Sequence, residues 1–144
     1  MLQLTSTITE NATLEIGLRD IEVPKPGADD VLIEVQASPI NPSDLGTLVG
    51  AGDLTSIRVE GEGEQAKVIM DIPESVMWAM KPRIGKPLPV GNEGSGIVTE
   101  AGKNAKHLIG KVVSAVGGGM YAQYRVLPAM ACIEMPDGIE PKDC

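Results

Sequence analysis

The sequence contains very few aromatic residues. Its 144 residues include no Phe, one Trp and two Tyr, and its formal net charge is −8. Proteins that bind single-stranded nucleic acid need aromatic rings for stacking, and phosphate contacts need a basic surface. We therefore expect no nucleic-acid partner. The hydrophobic core must be built from aliphatic side chains.

Cysteine, histidine and long apolar runs are also scarce. The two cysteines, Cys132 and Cys144, do not suggest a disulfide framework, and the one histidine, His107, lies in a polar turn. No stretch reaches the ~18 apolar residues of a membrane helix. The N-terminus carries no basic region followed by an apolar run. These absences predict a cytoplasmic protein without a membrane partner.

Glycine and proline are abundant, with 17 and 11 residues. They disfavour long helices and favour short strands joined by turns. A chain of this length is expected to form one domain, residues 1–144, around a single core. About six short strand patterns at even spacing predict a mainly β fold, a partly open β-barrel with a few short helices.

The most informative stretch runs from Val31 to Val49. Apolar and polar residues alternate over 31–38, which predicts a half-buried strand. Asn41 then stands where a helix N-cap belongs, Pro42 fills the first helical position, and Asp44 follows three residues after the cap. The sequence therefore predicts a strand that turns directly into a short helix, a rigid support for functional groups.

A glycine-rich segment, Gly117–Ala122, matches the dinucleotide-binding pattern G-x-G-x-x-G/A. That pattern works only where the glycines open a helix whose N-terminus meets the pyrophosphate. Here Gln123–Leu127 alternates as a strand and Pro128 interrupts it, which favours a turn followed by a strand. A minimal nucleotide-binding site at Gly117–Gly119 remains as an alternative. It predicts NADPH binding by this chain alone, which calorimetry can test.

Several motifs occur in the order found in one known superfamily. They are Ile40-Asn41-Pro42-Ser43-Asp44, Gly91–Val98, Gly110–Val113, Gly119–Tyr124 and Pro136–Gly138. Together they cover most of residues 30 to 138. In them the chain resembles the N-terminal domain of the medium-chain dehydrogenases and reductases. The resemblance implies a GroES-like fold related to alcohol dehydrogenase.

Zinc divides that superfamily. Zinc-dependent members carry a Cys where this chain has Asn41 and a His where it has Asn92, and they also contain a run of four cysteines that is missing here. An amide is a poor Zn²⁺ ligand beside thiolate or imidazole. The resemblance therefore implies the zinc-independent branch, and we expect no metal site.

Within that branch the chain is most similar to the quinone oxidoreductases and the enoyl thioester reductases. The resemblance implies hydride transfer from NADPH to a quinone or an α,β-unsaturated carbonyl compound. By the same resemblance, Asn41 is a catalytic residue near the nicotinamide, and Ser43 takes the place of a proton-relaying hydroxyl. Asn41, Pro42 and Ser43 would contact the cofactor. A purely structural interpretation of Ser43 and Asp44, as residues of the first helical turn, stays open.

The chain departs from the relatives' pattern in two respects: missing tyrosines and a longer segment. The enoyl reductases have a proton-donating tyrosine where this chain has Ala51–Asp53, and the tyrosine that quinone reductases carry near Gly46 is also absent. Residues 51–87 are longer than in the relatives, and either a substrate-side lid or a surface insertion would explain them. Within them we predict a hairpin over Ile57–Met70 and a helix over Pro73–Met80. Glu93 is expected to anchor the glycine-rich bend.

No segment shows the strand–helix–strand pattern of a Rossmann domain, so the nucleotide-binding half is predicted to be absent from this chain. The chain alone should then be inactive, with the missing domain as its partner. The surface left open also suggests self-association into a homo-oligomer. The alternative function is a free-standing GroES-like binding or assembly module without redox activity. It would need a mobile loop, which residues 51–70 could supply, and ring assembly.

Overall fold

The computed structural model describes all residues, Met1 to Cys144. Ten strands form two five-stranded antiparallel sheets, accompanied by two α-helices. The strands are β1 Leu2–Ile8, β2 Thr13–Asp20, β3 Asp30–Ala37, β4 Arg58–Glu60, β5 Lys67–Asp71, β6 Leu88–Pro89, β7 Glu93–Ala101, β8 Val112–Val116, β9 Tyr124–Pro128 and β10 Cys132–Glu134. The helices are α1 Pro42–Leu48 and α2 Glu74–Met80. The mainly β fold is confirmed, and the sheets do not close into a barrel.

The first sheet has the strand order β4-β5-β2-β1-β6, and the second has the order β10-β8-β7-β3-β9. The predicted strand β3 lies inside the second sheet, between β7 and β9. Val31 and Ile33 are completely buried, and Leu32 on the opposite face is only 4% exposed. The first half of β3 is therefore covered on both faces, which the alternating pattern did not predict.

Each sheet has its own hydrophobic cluster. The cluster of the second sheet consists of nine buried residues: Val31, Ile33, Val98, Ala105, Leu108, Val113, Ala115, Met120 and Leu127. The cluster of the first sheet consists of five: Ile8, Leu14, Ala51, Met70 and Ile72. Both are aliphatic, as the composition required.

Residues 51–87, which are longer than in the relatives, form the hairpin and the helix that their local patterns predicted. Strands β4 and β5 form the predicted hairpin, with Gly61 and Gly63 at positive φ in its turn. Helix α2 starts after Pro73, and its one tryptophan, Trp78, is 73% exposed. Neither helix has the length and apolar character needed to cross a membrane.

Strand β1 was not predicted, because its buried and exposed faces are inverted relative to the usual pattern. Gln3 and Thr5 point inward with only 7% and 5% exposure, whereas Leu2 and Leu4 lie on the half-exposed face. On this face, the hydroxyl of Thr5 is satisfied because Oγ1 donates to the carbonyl oxygen of Gly17.

The two sheets meet beside the start of α1. A bridge between Gln3 and Ala122 connects them, and the N–H of Leu4 donates to the carbonyl oxygen of Tyr121 at 2.8 Å. The chain leaves β3 at Ala37 and enters α1 at Pro42, next to the beginning of β7. This junction carries the candidate site.

Candidate functional site

The predicted helix start is confirmed. Asn41 is the N-cap of α1 with an extended backbone, and Pro42 occupies the first helical turn. The backbone N–H of Asn41 donates to Asp44 Oδ2 at 2.9 Å, and the N–H of Asp44 donates to the carbonyl oxygen of Asn41 at 3.0 Å. These reciprocal bonds fix the backbone from which the Asn41 side chain projects.

Asp44 does more than cap the helix. Its carboxylate is only 2% exposed. Oδ1 accepts the backbone N–H of Asn92 at 2.9 Å, and Oδ2 accepts the hydroxyl of Tyr121 at 3.1 Å. One buried carboxylate therefore connects α1, the glycine-rich bend before β7, and the turn before β9. Only the local capping contact was predicted from the sequence.

Tyr121 was not singled out from the sequence. Its hydroxyl lies 2.9 Å from the carbonyl oxygen of Pro39 and shares its one proton between that oxygen and Asp44. Burial, followed by the neighbouring carboxylate of Asp44, raises the pKa of Tyr121 above its usual value. The hydroxyl therefore remains protonated at neutral pH and continues to donate. The sequence feature that could have drawn attention to Tyr121 is that the chain contains only two tyrosines.

Gly91 makes room for this tyrosine. Its φ is +94°, and a Cβ at this position would lie 2.6 Å from Tyr121 Cδ1 and 2.7 Å from the Tyr121 backbone nitrogen. No other residue fits without moving the ring or the backbone. Gly91 is therefore the residue that allows the bend and Tyr121 to approach this closely.

The side chain of Asn41 is held by Glu93. Asn41 Nδ2 donates to Glu93 Oε1 at 2.8 Å. Because an ionised carboxylate only accepts hydrogen bonds, this contact fixes which end of the amide faces Glu93. The carbonyl oxygen Oδ1 and the second N–H of Asn41 are consequently presented in a fixed orientation. Glu93, expected only to anchor the bend, also orients the candidate catalytic amide.

A second pair of polar side chains lies at the same end of α1. Asn92 Nδ2 donates to Ser43 Oγ at 2.7 Å, and both residues are exposed. The structure thus places Asn41, Ser43 and Asn92, whose positions matter in the relatives' pattern, at the same end of α1. Ser43 accepts from Asn92 and still has its own proton to donate.

The geometry of other candidate residues is less suited to catalysis. No group of three or more His, Cys, Asp or Glu side chains lies close enough together to hold a metal ion. His107 is exposed in the short 3₁₀ helix Lys106–Leu108, and Cys132 and Cys144 are free thiols. Burial raises the pKa of Cys132, so its thiol is a poor nucleophile at neutral pH.

The glycine triplet at 117–119 forms a turn rather than the start of a helix. Gly118 and Gly119 have positive φ, and Arg125 Nε donates to the carbonyl oxygen of Gly118 at 2.8 Å. The next element is strand β9, so the interpretation as a turn followed by a strand is confirmed.

A polar pocket of about 370 Å³ adjoins the site. It shares Glu93 with the Asn41 contact and is also lined by Ser38, Ser95 and Ser114. Lys142 and Cys144, near the C-terminal end of the chain, complete one side.

The family described as the alcohol dehydrogenase GroES-like domain matches residues 27–137, which include every residue of this site. The chain belongs to this family. The resemblance seen in the sequence motifs is thereby confirmed, and the two-sheet fold is that of a GroES-like domain.

Individual proteins that this chain resembles are named as reductases. Mouse prostaglandin reductase-3 is 28% identical over 136 residues, which cover 93% of this chain and 28% of that protein. A candidate NADPH:quinone reductase from Mesorhizobium loti is 26% identical with a TM-score of 0.60, covering 98% of this chain and 38% of that one. The chain therefore spans about a third of these relatives' length.

A third similar protein has a known structure that contains a bound cofactor. The Escherichia coli quinone oxidoreductase complexed with NADPH aligns with a TM-score of 0.63 over 99% of this chain and 35% of its own. At 16% identity this likeness shows the shared fold. About two-thirds of that solved chain has no counterpart in this one.

Proposed function

We propose that this chain is the substrate-side domain of a zinc-independent oxidoreductase that transfers hydride from NADPH to a quinone or an α,β-unsaturated carbonyl compound. The family match and the named activities of the relatives support the reaction class. The bound NADPH of the Escherichia coli relative supports the choice of cofactor.

The observation that carries the proposal is the fixed amide of Asn41. Its contact with Glu93 leaves one N–H donor and the acceptor Oδ1 in a defined orientation at the N-terminus of α1. This donor–acceptor pair is complementary to the carboxamide of a nicotinamide and to a substrate carbonyl oxygen. The residues present therefore fit the cofactor, with Asn41, Pro42 and Ser43 as its proposed contacts.

Bound NADPH would supply the hydride. As hydride reaches an enone or quinone, negative charge develops on the carbonyl oxygen, and preorganised N–H and O–H donors stabilise it. The N–H of Asn41 and the hydroxyl of Ser43 are the donors at this end of α1. Asn92 restricts the Ser43 side chain, and Glu93 restricts Asn41. We propose Asn41 and Ser43 as the catalytic residues of this chain.

The amides at positions 41 and 92 also support zinc independence. Each donates its N–H to a neighbouring side chain, and an amide oxygen is a weak Zn²⁺ ligand compared with thiolate or imidazole. Hydrogen bonding then replaces a Lewis acid in polarising the carbonyl.

We further propose that a Rossmann domain, absent from residues 1–144, holds most of the cofactor, so that this chain alone is inactive. The alternative of an assembly module requires a mobile loop in residues 51–70. Instead, β4 pairs with β5, and β5 pairs with β2 through five residues. The ordered hairpin favours the oxidoreductase interpretation.

A chimera tests the proposal. Residues 1–144 replace the GroES-like domain of the Escherichia coli quinone oxidoreductase, and NADPH oxidation is measured with menadione and with an enone. The chimera should be active without added zinc and after chelator treatment, whereas the chain alone should be inactive.

The Asn41→Ala chimera should lose about 100-fold in kcat, the typical effect of removing one oxyanion donor. Thr55→Ala, at an exposed position of the short 3₁₀ helix Leu54–Ser56 before β4, is the control and should leave the rate unchanged. A zinc requirement, or an Asn41→Ala chimera as active as its parent, contradicts the proposal. Circular dichroism of every variant separates loss of activity from loss of folding.

A further inference from the structure

Strand β4 forms one edge of the first sheet and has a neighbouring strand on one side only. It pairs with β5 through three residues, Arg58, Val59 and Glu60, and all three are exposed. In an antiparallel pair some backbone groups of each strand point toward the neighbour, and the others point away. No backbone hydrogen bond outside the pairing with β5 involves these residues. The outer N–H and C=O groups of β4 are therefore available to another strand.

The central residue of β4 is apolar and lies on the core-facing side of the sheet. Val59 is directly opposite Val68 in β5, and directly opposite residues of antiparallel strands share a face. Val68 packs against the five-residue hydrophobic cluster of this sheet. Val59, one strand further out, is 66% exposed. The apolar face of the first sheet therefore ends at an uncovered valine.

The two charged residues of β4 lie symmetrically about Val59, with Arg58 before it and Glu60 after it. If a second copy of β4 pairs antiparallel about a twofold axis at Val59, each Arg58 faces Glu60 of the other copy. Charged side chains usually protect an edge strand from self-pairing, but this order of opposite charges makes the edge complementary to itself. Arg58 uses Nη1 for Asp71, at 2.9 Å, and its guanidinium has further N–H donors for a second carboxylate.

The other edge strands lack this complementarity. At the opposite edge of the first sheet, β6 has two residues, one of which is Pro89 and has no N–H to donate. In the second sheet, a twofold pairing of β10 would place Cys132 opposite Glu134, and β9 contains no acidic residue to face its Arg125. Pairing through β4 therefore ends at two copies and does not propagate into a fibre.

We propose that β4 binds β4 of a second copy of this chain, so that the two first sheets join into one continuous sheet with twofold symmetry. Val59 of each copy lies at the centre of the interface, and an Arg58–Glu60 contact lies on either side of it. Because only three residues of each copy are paired, the dimer is weak and forms at high protein concentration. This proposal is independent of the oxidoreductase function proposed above.

Sedimentation equilibrium of the 144-residue chain, from about 10 μM to about 2 mM, tests the proposal. We expect a reversible equilibrium between monomer and dimer. Arg58→Glu makes both charges of β4 negative, and Glu60→Arg makes both positive, so each variant alone should dimerise at least about tenfold more weakly. An equal mixture of the two variants should associate about as tightly as the parent chain, because opposite charges then face each other again.

Lys67→Glu is the matched control, because it makes the same reversal of charge one strand further in, where Lys67 pairs with Glu15. It should change the dimerisation constant much less than Arg58→Glu. In ¹H–¹⁵N NMR spectra of the parent chain, the amides of residues 58–60 should shift most with concentration, and the same spectra establish that each variant is folded.

Three results would each overturn the proposal. The chain could remain monomeric at the highest concentration, the concentration-dependent shifts could centre on β10, or the mixed variants could associate no better than either variant alone. The first result leaves the edge unpaired in solution, and the second assigns self-association to the other sheet.

Discussion

The hydrogen-bonded junction around Asp44 and the hairpin β4–β5 are held by different kinds of polar interaction. At the junction, a carboxylate that is 2% exposed accepts three hydrogen bonds from three separate segments. At the hairpin, Arg58 pairs with Asp71 at 2.9 Å, and the two side chains are 42% and 61% exposed. The same residue type, aspartate, therefore has a very different energetic role in each region.

Burial explains the difference. Water competes little for Asp44, so the loss of its carboxylate leaves donors unsatisfied, while an exposed ion pair exchanges readily with solvent. The junction should therefore tolerate almost no substitution, and the hairpin should tolerate many. The candidate site therefore lies in the more tightly constrained of the two regions.

The largest effect should come from Asp44→Ala. It removes the acceptor of three hydrogen bonds and should lower the free energy of unfolding by about 3 kcal/mol or more. Urea denaturation followed by circular dichroism measures the change. Asp53→Ala, at the exposed start of the hairpin region, serves as the control and should cost far less. Equal losses would remove the contrast between the two regions.

The next largest effect should come from truncating a buried methionine in either of the two hydrophobic clusters. Met120 and Met70 are both completely buried, the first in the nine-residue cluster and the second in the five-residue cluster. Truncation of either to Ala should cost about 2–5 kcal/mol. Met120→Ala should cost more, because Met120 belongs to the larger cluster and directly precedes Tyr121. A larger loss for Met70→Ala in the same denaturation assay would contradict this ranking.

Tyr121→Phe should have an intermediate effect that depends on pH. Loss of the hydroxyl removes a partly buried hydrogen bond and should cost about 1 kcal/mol at pH 8. Because the pKa of Tyr121 is raised in the folded state, its contribution to stability is fully present below the unfolded pKa of about 10 and declines as the pH rises above it. The difference between the parent chain and the variant should therefore shrink between pH 8 and pH 11. A constant difference over that range would mean that Tyr121 titrates normally.

The smallest effect is expected at the hairpin ion pair. Arg58→Gln should lower stability by at most about 1 kcal/mol, and the difference should diminish further at high salt. Thermal denaturation at low and high ionic strength measures it. A loss comparable to that of Asp44→Ala would show that the hairpin is as tightly constrained as the junction.

The parts of the fold that were predictable depend on local patterns. Strand β3, the cap and start of α1, the hairpin β4–β5 and the helix after Pro73 each follow from residues close together in sequence. The family motifs added the overall fold and the positions of Asn41 and Ser43. Local chemistry and shared motifs therefore accounted for most of the framework.

The parts that were missed depend on distant contacts. Asp44 meets Asn92 and Tyr121, which lie 48 and 77 residues away, so no local pattern indicates these bonds. Strand β1 was overlooked because hydrogen bonding and sheet packing allow Gln3 and Thr5 to face inward. The Asn41–Glu93 contact likewise joins residues 52 positions apart, and only the folded sheet brings them together.

The exposed indole of Trp78 gives the folded chain an unusual tryptophan fluorescence. As the only tryptophan, and 73% exposed in the native fold, it should already fluoresce at the long wavelengths of a solvated indole. Unfolding will therefore change its emission little. A molecule or domain that covers α2 will shift that emission to shorter wavelengths, which gives the chain a built-in optical reporter of docking at this helix.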